Sequence, residues 1–480
     1  MKRIKYLLAL SLFTAASCDL LNRPVYNNIE RDNFYKTDSD IELAVNGVYG
    51  LLASLFTTNY VNLSELPADN AQTVGENTDR ALIDKFSCSP VNSLLQSAWQ
   101  SSYRCIANAN EVLAAIPNVE FSDPDQKDQY TGEVYFIRAL SYFNLVRWFG
   151  DVPFIKAPIS IEESMKLTRT DFEIIYKELI IPDLINARKL LPDHYSGEDI
   201  GRATSGAAAT LLGKVYLTLH DYENAEAVLA EVITSEQYQL LPNYADIFDP
   251  NNANHAESIF EIQFEKGYTG GSGWSCAAHN QNLSQEFGVS TGGGTMPTSD
   301  IIEALDPTSV RYAASIGQGK NNGPRYIKKH YMELSIQNHS DDNWPLLRYA
   351  DVLLMYAEAS NELTAIPSST AVDCVNQIRR RAYGITDPTD TSHDLSDAEK
   401  IDRNTFREVV WQERRLELAF EGHRWFDLVR TGQYATVMNN YFAAYNNGLY
   451  VVESYNDLFP IPQYEIDVNP NLAPNNPGYN

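Results

Sequence analysis

The sequence has few cysteines and lacks the short motifs of common enzymes. Five cysteines occur among 480 residues, and no two of them form a CxxC pair, so the usual pattern of zinc sites and thioredoxin-like redox centres is missing. GxSxG, HExxH and Rossmann glycine patterns are also missing, and the glycines at 292–294 are not followed by the Lys-Ser or Lys-Thr of a phosphate loop. Residues 249–254 have incomplete calcium-ligand spacing, which favours a solvated turn. We therefore expect neither a metal nor a cofactor.

Basic residues and long apolar runs are also scarce. The chain has 37 Lys and Arg against 63 Asp and Glu, a net charge of −26. An acidic body of this kind repels nucleic acid and anionic lipid surfaces, so no nucleic-acid partner is expected. Beyond the first 17 residues, no segment approaches the roughly 18 consecutive apolar residues that a membrane helix needs.

The N-terminus has the pattern of a bacterial lipoprotein. Residues 1–17 combine three basic residues with an apolar run and form a secretory signal, and small residues precede Cys18 as in a lipobox. Lipidation of Cys18 is predicted, with residues 18–38 as a polar tether; the alternative is an ordinary signal peptide with a chance cysteine. Cleavage would leave a net charge of 34 − 63 = −29. The pairing of the other four cysteines stays open: Cys88, Cys105, Cys276 and Cys374.

The body of the chain, residues 39–480, is predicted to be one mainly α-helical domain. The clearest pattern spans 203–235, where Gly213 and Ala225 alternate with large residues as in a tetratricopeptide repeat, a pair of antiparallel helices. Degenerate helix pairs of the same kind are proposed at 130–191, 348–383 and 402–443. We expect a scaffold at 39–237 and 346–445, interrupted by a loop-rich insert at about 238–345 with a few short strands. Periodicity is also lost from 57 to 90, which predicts a second long loop.

Residues 411–432 hold the densest charge. Their spacing predicts a helix that runs through Phe420 to a C-terminal Gly422, with a short helix after it. The favoured interpretation is a partly buried ion-pair network that joins the two helices. The alternative is acid/base catalysis by Glu417 or Glu421, which the nearby arginines disfavour because they lower carboxylate pKa values.

Ordered landmarks along the whole chain resemble the SusD/RagB family, whose members are surface nutrient-binding lipoproteins of Bacteroidetes-type bacteria. Besides Cys18, they are the Asn-Gly-Val-Tyr of 46–49, the helix face Trp99, Tyr103, Ile106 and Asn110, the Phe-Gly-Asp-Val-Pro of 149–153, the Glu-Ser-Ile-Phe of 257–260, and the segments 348–359, 413–430, 460–462, 469–472 and 476–479.

The resemblance implies tetratricopeptide-like helix pairs packed against irregular structure that presents a ligand site. It also implies a non-enzymatic lipoprotein on the outer membrane that captures a glycan and delivers it to a SusC-like TonB-dependent transporter. Two other functions remain open. One is a peptide- or protein-binding lipoprotein of RagB type, and the other is a surface glycosidase with two carboxylates roughly 5 to 10 Å apart.

Glycan-binding residues are expected in the two long loops. A sugar ring offers an apolar face and a rim of hydroxyls, which suit aromatic rings and polar side chains. Loop residues are the candidates, since packing within helices already explains most of the 29 Tyr and 6 Trp. Trp274 is the first choice, with simple loop anchoring as its alternative. The others, for which the alternative is a solvated loop side chain, are Tyr60, Asp69, Asn70, Arg80, Tyr268 and Asn280.

Overall fold

Helices make up most of the described chain. The computed structural model describes residues 34–57, 59–75, 78–265, 294–329 and 341–479. The helices of its first half are α1 (Asp38–Phe56), α2 (Asn59–Ser64), α3 (Asp79–Asp84), α4 (Ser93–Ala115), α5 (Pro124–Phe149), α6 (Ile161–Ser164), α7 (Phe172–Ile175), α8 (Ile181–Leu190), α9 (Ser205–Thr218) and α10 (Tyr222–Thr234). Those of its second half are α11 (Ser299–Ala304), α12 (Val310–Ser315), α13 (Tyr349–Leu363), α14 (Ser369–Ala382), α15 (Arg403–Glu417), α16 (Arg424–Arg430), α17 (Tyr434–Tyr445) and α18 (Gln463–Val468).

The long helices pack mainly on their neighbours in chain order. α1 contacts α4, α4 contacts α5, and the series continues through α8, α9, α10, α13 and α14. Three of the predicted helix pairs form, α5/α8, α9/α10 and α13/α14, and α1/α4 is a further pair, which confirms the prediction of a mainly helical, tetratricopeptide-like scaffold. The pair proposed at 402–443 is wrong, because α15 packs on α13 and not on α17. In the α9/α10 pair, a Cβ on Gly213 would lie 2.6 Å from Cδ2 of Leu229, so glycine allows the two helices to touch.

Helix ends follow local sequence signals. Thr37 caps α1 in a capping box with Asp40, so the helix begins at Asp38. α5 ends before Gly150, which has φ +68° and donates its N–H to the carbonyl of Val146.

The prediction of a long loop from 57 to 90 is wrong. Residues 59–71 are buried throughout, and α2, α3 and a strand lie within the interval. α2 shows no amphipathic period because every one of its faces is buried. Two of its polar side chains find internal partners: Asn59 donates to Oγ of Ser97 at 2.9 Å, and the hydroxyl of Ser64 donates to the carbonyl of Tyr60.

The described strands form three antiparallel two-stranded sheets. They are β1 (Ala71–Thr73) with β3 (Thr295–Pro297), β2 (Ser258–Ile262) with β6 (Trp344–Arg348), and β4 (Ile316–Gln318) with β5 (Arg325–Ile327). Four of the six strands lie in the predicted insert, and β6 begins at its last two residues, which confirms its few short strands. β1 pairs with β3 and thereby joins the early segment to the insert.

No helix of the described residues is long and apolar enough to cross a membrane. Three cysteines in that part of the chain, Cys88, Cys105 and Cys374, are free thiols, and Cys276 lies outside it.

Candidate functional site

The most highly charged part of the interior lies where β6 meets the end of α15. Arg348, 1% exposed, donates to Glu421 through Nε and Nη2 at 2.6 and 2.9 Å. Its Nη1 donates to Glu417 at 2.7 Å and to Glu257 at 3.0 Å. One guanidinium therefore holds three buried carboxylates.

Three further buried cations complete this ion-pair centre. Arg381 donates to Glu417 at 2.6 Å and to Glu257 at 2.7 Å. Arg311 donates to Glu417 at 3.0 Å and also to Glu413. Lys329 donates to Glu421 at 2.6 Å and to the carbonyls of Glu417 and Ala419, both at 2.8 Å. The two glutamates that were candidates for catalysis thus have cations on several sides.

Electrostatics here favour permanent ionisation. Burial alone would raise the pKa of Glu421, but Arg348 and Lys329 outweigh it and hold that pKa at about 2. Burial likewise opposes ionisation of Glu417, and Arg381, Arg348 and Arg311 lower its pKa far below the ordinary value. The geometry therefore confirms the predicted ion-pair network. It also argues against acid/base catalysis by these two glutamates, because a buried carboxylate that stays ionised is a poor proton carrier.

The chain leaves α15 earlier than predicted. The helix ends at Glu417, and both Phe420 and Gly422 have positive φ, +68° and +75°. The carboxylate of Glu65 accepts the N–H groups of Phe420 and Gly422 at 3.0 and 2.9 Å. Because Glu65 and Lys329 satisfy the backbone groups of this turn, the helix need not continue. Burial raises the pKa of Glu65 to about 7 despite these two hydrogen bonds.

A second charged cluster lies between α9, α13 and α16. Asp351 pairs with Lys214 at 2.7 Å and with Arg414 at 2.9 Å. Nδ1 of His423 lies 3.1 Å from Nζ of Lys214. Burial and this neighbouring ammonium lower the pKa of His423 to about 3, so the imidazole is neutral in the folded protein.

Tyr60 lies in the core, and its side chain is not on the protein surface. It is 2% exposed, stacks on Phe56 with ring centroids 4.3 Å apart, and meets Trp148 and Trp344 edge-on. Burial raises the pKa of its hydroxyl to about 12. The sequence suggested an isolated loop ring because α2 shows no periodicity.

Asp69 and Asn70 are also buried and are engaged with the charged stretch. Arg424 donates to both oxygens of Asp69 at 2.8 and 2.9 Å, and Arg415 donates to Oδ1 of Asn70 at 3.0 Å. Burial raises the pKa of Asp69, but Arg424 and Arg415 outweigh it and bring the value to about 2. These side chains connect the early segment to α15 and α16, so their surroundings argue against a role in ligand contact.

Arg80, a predicted ligand-binding residue that lies in the described part of the chain, contacts the β1/β3 sheet. It donates to the hydroxyl of Thr295 on β3, and its Nε has no hydrogen-bond partner. Asp84 lies nearby and accepts from the N–H and hydroxyl of Thr73 at 2.9 and 2.8 Å. Burial raises the pKa of Asp84 to about 6. Sequence reasoning missed Asp84 and Thr295, since nothing in their local patterns distinguishes them from other loop residues.

Trp274, Tyr268, Asn280 and Cys18 lie outside the described residues. The first three belong to segment 266–293. The described residues on both sides of this segment are held by hydrogen bonds. Before it, the N–H of Phe264 donates to Asn343 at 2.8 Å. After it, the carbonyl of Gly294 accepts the N–H of Val74 at 2.5 Å, next to Arg80. The segment with the first-choice aromatic residue therefore re-enters the described chain beside Arg80.

In the described ranges, no group of three or more His, Cys, Asp or Glu side chains is placed to hold a metal ion. Asp249 instead caps the short turn that follows it, accepting the N–H of Asn251 at 2.9 Å.

Fold and charged centre together define a tetratricopeptide-like helical scaffold with a loop-rich insert, locked by buried ion pairs. Comparison with known families agrees. The model of the SusD family matches residues 308–479, and a second model, described as starch-binding associating with outer membrane, matches residues 27–217. The chain is a SusD-like family protein.

Relatives match over nearly the full length. SusD-like protein P2 of Formosa agariphila is 29% identical, with 100% of both chains covered. A SusD homolog from Bacteroides thetaiotaomicron, solved by crystallography, has a TM-score of 0.82 at 26% identity and covers 94% of this chain and 99% of its own. A laminarin-binding SusD-like protein has a TM-score of 0.76 at 26% identity and covers 92% and 100%.

Proposed function

We propose that this protein is a lipid-anchored, cell-surface glycan-binding protein that delivers its ligand to a SusC-like TonB-dependent transporter and performs no chemistry. The observation that carries the proposal is the similarity along the chain to SusD-like proteins, one of which binds laminarin. The ion-pair centre supports the absence of catalysis, because Glu417 and Glu421 are buried and held as anions.

The proposed ligand site is the neighbourhood of Arg80 together with segment 266–293. Trp274 supplies a flat apolar surface, and Tyr268, Asn280 and Arg80 supply hydrogen bonds to sugar hydroxyls. Arg80 supports this placement, since its Nε lacks a partner and it lies where the segment returns to β3. Tyr60, Asp69 and Asn70 are left out of the proposed contact surface because their side chains are no more than 2% exposed.

Titration calorimetry with laminarin and maltodextrin oligosaccharides tests the site. Trp274→Ala should weaken binding at least tenfold, or ~1.4 kcal/mol, because one stacked ring is lost. Phe172→Ala is the matched control, an aromatic residue 38% exposed on the scaffold, and should bind as wild type does. Unchanged affinity of Trp274→Ala contradicts the site. Binding to peptides with no response to any glycan contradicts the glycan and favours a RagB-type ligand.

Two further measurements test the remaining parts. Steady release of reducing ends from these glycans by the purified protein would contradict the non-catalytic role. Mass spectrometry of the mature protein should find an acylated N-terminal Cys18, and Cys18→Ala should remove the protein from the outer-membrane fraction.

A further inference from the structure

Six large apolar side chains are exposed on one part of the surface around α18. Ile161 is 81% exposed, Val91 77% and Tyr464 55%. Hydrogen bonds place their segments side by side: the N–H of Gln463 donates to the carbonyl of Pro90 at 2.8 Å, and Asn469 donates to the carbonyl of Leu167 at 2.8 Å. We call this set the apolar strip: Val91, Ile159, Ile161, Met165, Tyr464 and Val468.

The apolar strip borders a groove of about 440 Å³. Its lining includes Trp99 and Tyr103 of α4 and the segment that follows Pro153. Four residues of the strip, at 159, 161, 165 and 468, also line the groove. Exposed apolar surface concentrated around a depression marks an interaction site, because scattered apolar residues would not converge in this way.

Several polar side chains of the groove are already paired within the protein, which favours an apolar occupant between them. Gln100 donates to Glu465 across the groove at 2.9 Å, and the Tyr103 hydroxyl donates to the carbonyl of Pro153 at 2.8 Å. Asn110 donates to the carbonyl of Ile155 at 3.1 Å and accepts from Arg138. An apolar side chain placed between these groups would displace water without breaking their hydrogen bonds.

Charge around the groove decides between the possible apolar occupants. Five acids line the groove or adjoin its lining residues in sequence, against three bases, Arg104, Lys156 and Lys166. A lipid bilayer is disfavoured because the interleaved carboxylates would have to leave water. A second copy is disfavoured because it would bring the same acids and another net charge of −26. The acids are Glu111, Glu162, Glu163, Glu465 and Asp467.

We infer that the apolar strip is the docking surface for a partner protein that inserts apolar side chains into the groove and surrounds them with basic residues. On the proposed function, on which this inference rests, that partner is the TonB-dependent transporter. Apolar anchors in a groove with a charged rim are the usual anatomy of a protein interface.

Site-specific photocrosslinking in cells tests the surface. A benzophenone amino acid replaces Ile161 or Val468 in the full-length lipoprotein, and the matched control position is Ile401, 65% exposed near α15. After irradiation, both strip positions should form an adduct that mass spectrometry identifies as a TonB-dependent transporter, and position 401 should not. Adducts with lipid or with a second copy of the chain, or transporter adducts only from position 401, overturn the inference.

Charge substitutions supply an independent measurement. Ile161→Glu and Val468→Glu should reduce the transporter that co-purifies from detergent-solubilised outer membranes by at least about tenfold, while Ile401→Glu should not. Glycan affinity of the purified variants should stay at the wild-type value. If the transporter co-purifies equally with the strip variants, only the docking surface is wrong. If the wild-type chain brings down no transporter, the partner in the proposed function is wrong as well.

Discussion

Arg348 shows how a single residue can organise the interior of this acidic protein. Its five-donor guanidinium reaches Glu257, Glu417 and Glu421. Glu257 directly precedes β2, Glu417 ends α15, and Glu421 lies in the turn after it. Three carboxylates buried together would repel one another and lose their hydration, so the guanidinium is needed for the fold around it to close. The network fixes the arrangement of β2, β6 and α15.

Arg348→Met should therefore destabilise the protein by ~3–5 kcal/mol, because the substitution leaves buried carboxylates without their cation. Urea unfolding at neutral pH, followed by circular dichroism, measures the change. Lys166→Met is the control: it removes an ion pair with Glu162 in which both side chains are more than 60% exposed. That variant should stay within ~0.5 kcal/mol of wild type. Equal effects of the two substitutions would mean that the buried network is not stabilising.

Gly422 is required for the turn that follows α15. A Cβ there would lie 2.7 Å from Cε1 of Tyr60 and 2.8 Å from Oγ of Ser64, at φ +75°. Gly422→Ala should cost ~3 kcal/mol, of which ~1–2 kcal/mol is left-handed backbone strain and the remainder is overpacking. Gly448→Ala, at φ +67° with no atom within 4 Å, should show the strain alone. The same unfolding measurement compares them, and a Gly448 variant as unstable as the Gly422 variant would contradict the packing argument.

At the scale of elements, substitutions of two glycines inside helices distinguish the effect of close helix packing on stability from the effect of helix propensity. Gly213 on α9 faces Leu229 on α10, and an added Cβ would meet Cδ2 and Cγ at 2.6 and 2.7 Å. Gly47 on α1 is exposed, with no atom within 4 Å of its Cβ position. Gly213→Ala should destabilise by ~1–2 kcal/mol because overpacking exceeds the gain in propensity, and Gly47→Ala should stabilise by up to ~1 kcal/mol. Melting temperatures should shift in opposite directions, and shifts of one sign would refute the close contact.

The α9/α10 pair was predictable because its small and large residues alternate at helical spacing, and the pattern records the contact directly. α2 was not predictable, since a fully buried helix has no polar face and its asparagines look like a loop. Gly422 was correctly expected to follow a helix, but the helix ends sooner. The reason is Glu65, which lies more than 350 positions away in sequence and accepts the N–H groups of Phe420 and Gly422.

At the scale of the whole molecule, the family resemblance and the ion-pair network could be predicted from the sequence. Which side chains are exposed could not. Because many charged residues lie among aromatic residues in 411–432, this stretch was predicted to be partly buried. The same density of charge could not indicate that Asp69 would be a partner of Arg424, because a pairing across 355 positions leaves no local pattern. Loop position was therefore a poor guide to exposure. The apolar strip was equally hidden, as its members come from three separate segments.

The distribution of charge also predicts how stability depends on pH. His423 has a folded pKa of about 3, below its ordinary 6.5, so its contribution is present above pH 6.5 and is lost as the pH falls towards 3. Glu65 and Asp84 have the opposite sign. Their folded pKa values of about 7 and about 6 lie above the ordinary 4.5 and 3.8, so their contributions are complete below those ordinary values and are lost as the pH rises through 7 and 6. The window of His423 overlaps both of these windows, so the loss at His423 is offset between about pH 7 and 5.

Below that range, the carboxylates whose folded pKa values are lowered all lose stabilisation as the pH falls. Asp69 and Glu421 both have folded pKa values of about 2, so their stabilisation is present above their ordinary values of 3.8 and 4.5 and is lost as the pH falls through 2. The free energy of unfolding, measured by urea titration at successive pH values, should not decrease from about pH 7 to 5 and should fall steeply below about pH 4.5. Adding about 0.5 M NaCl should change the acid limb little, since the ion pairs are buried and poorly screened. A decline that begins near pH 6.5 would show that His423 outweighs Glu65 and Asp84, and a strongly salt-dependent acid limb would place the responsible ion pairs at the surface.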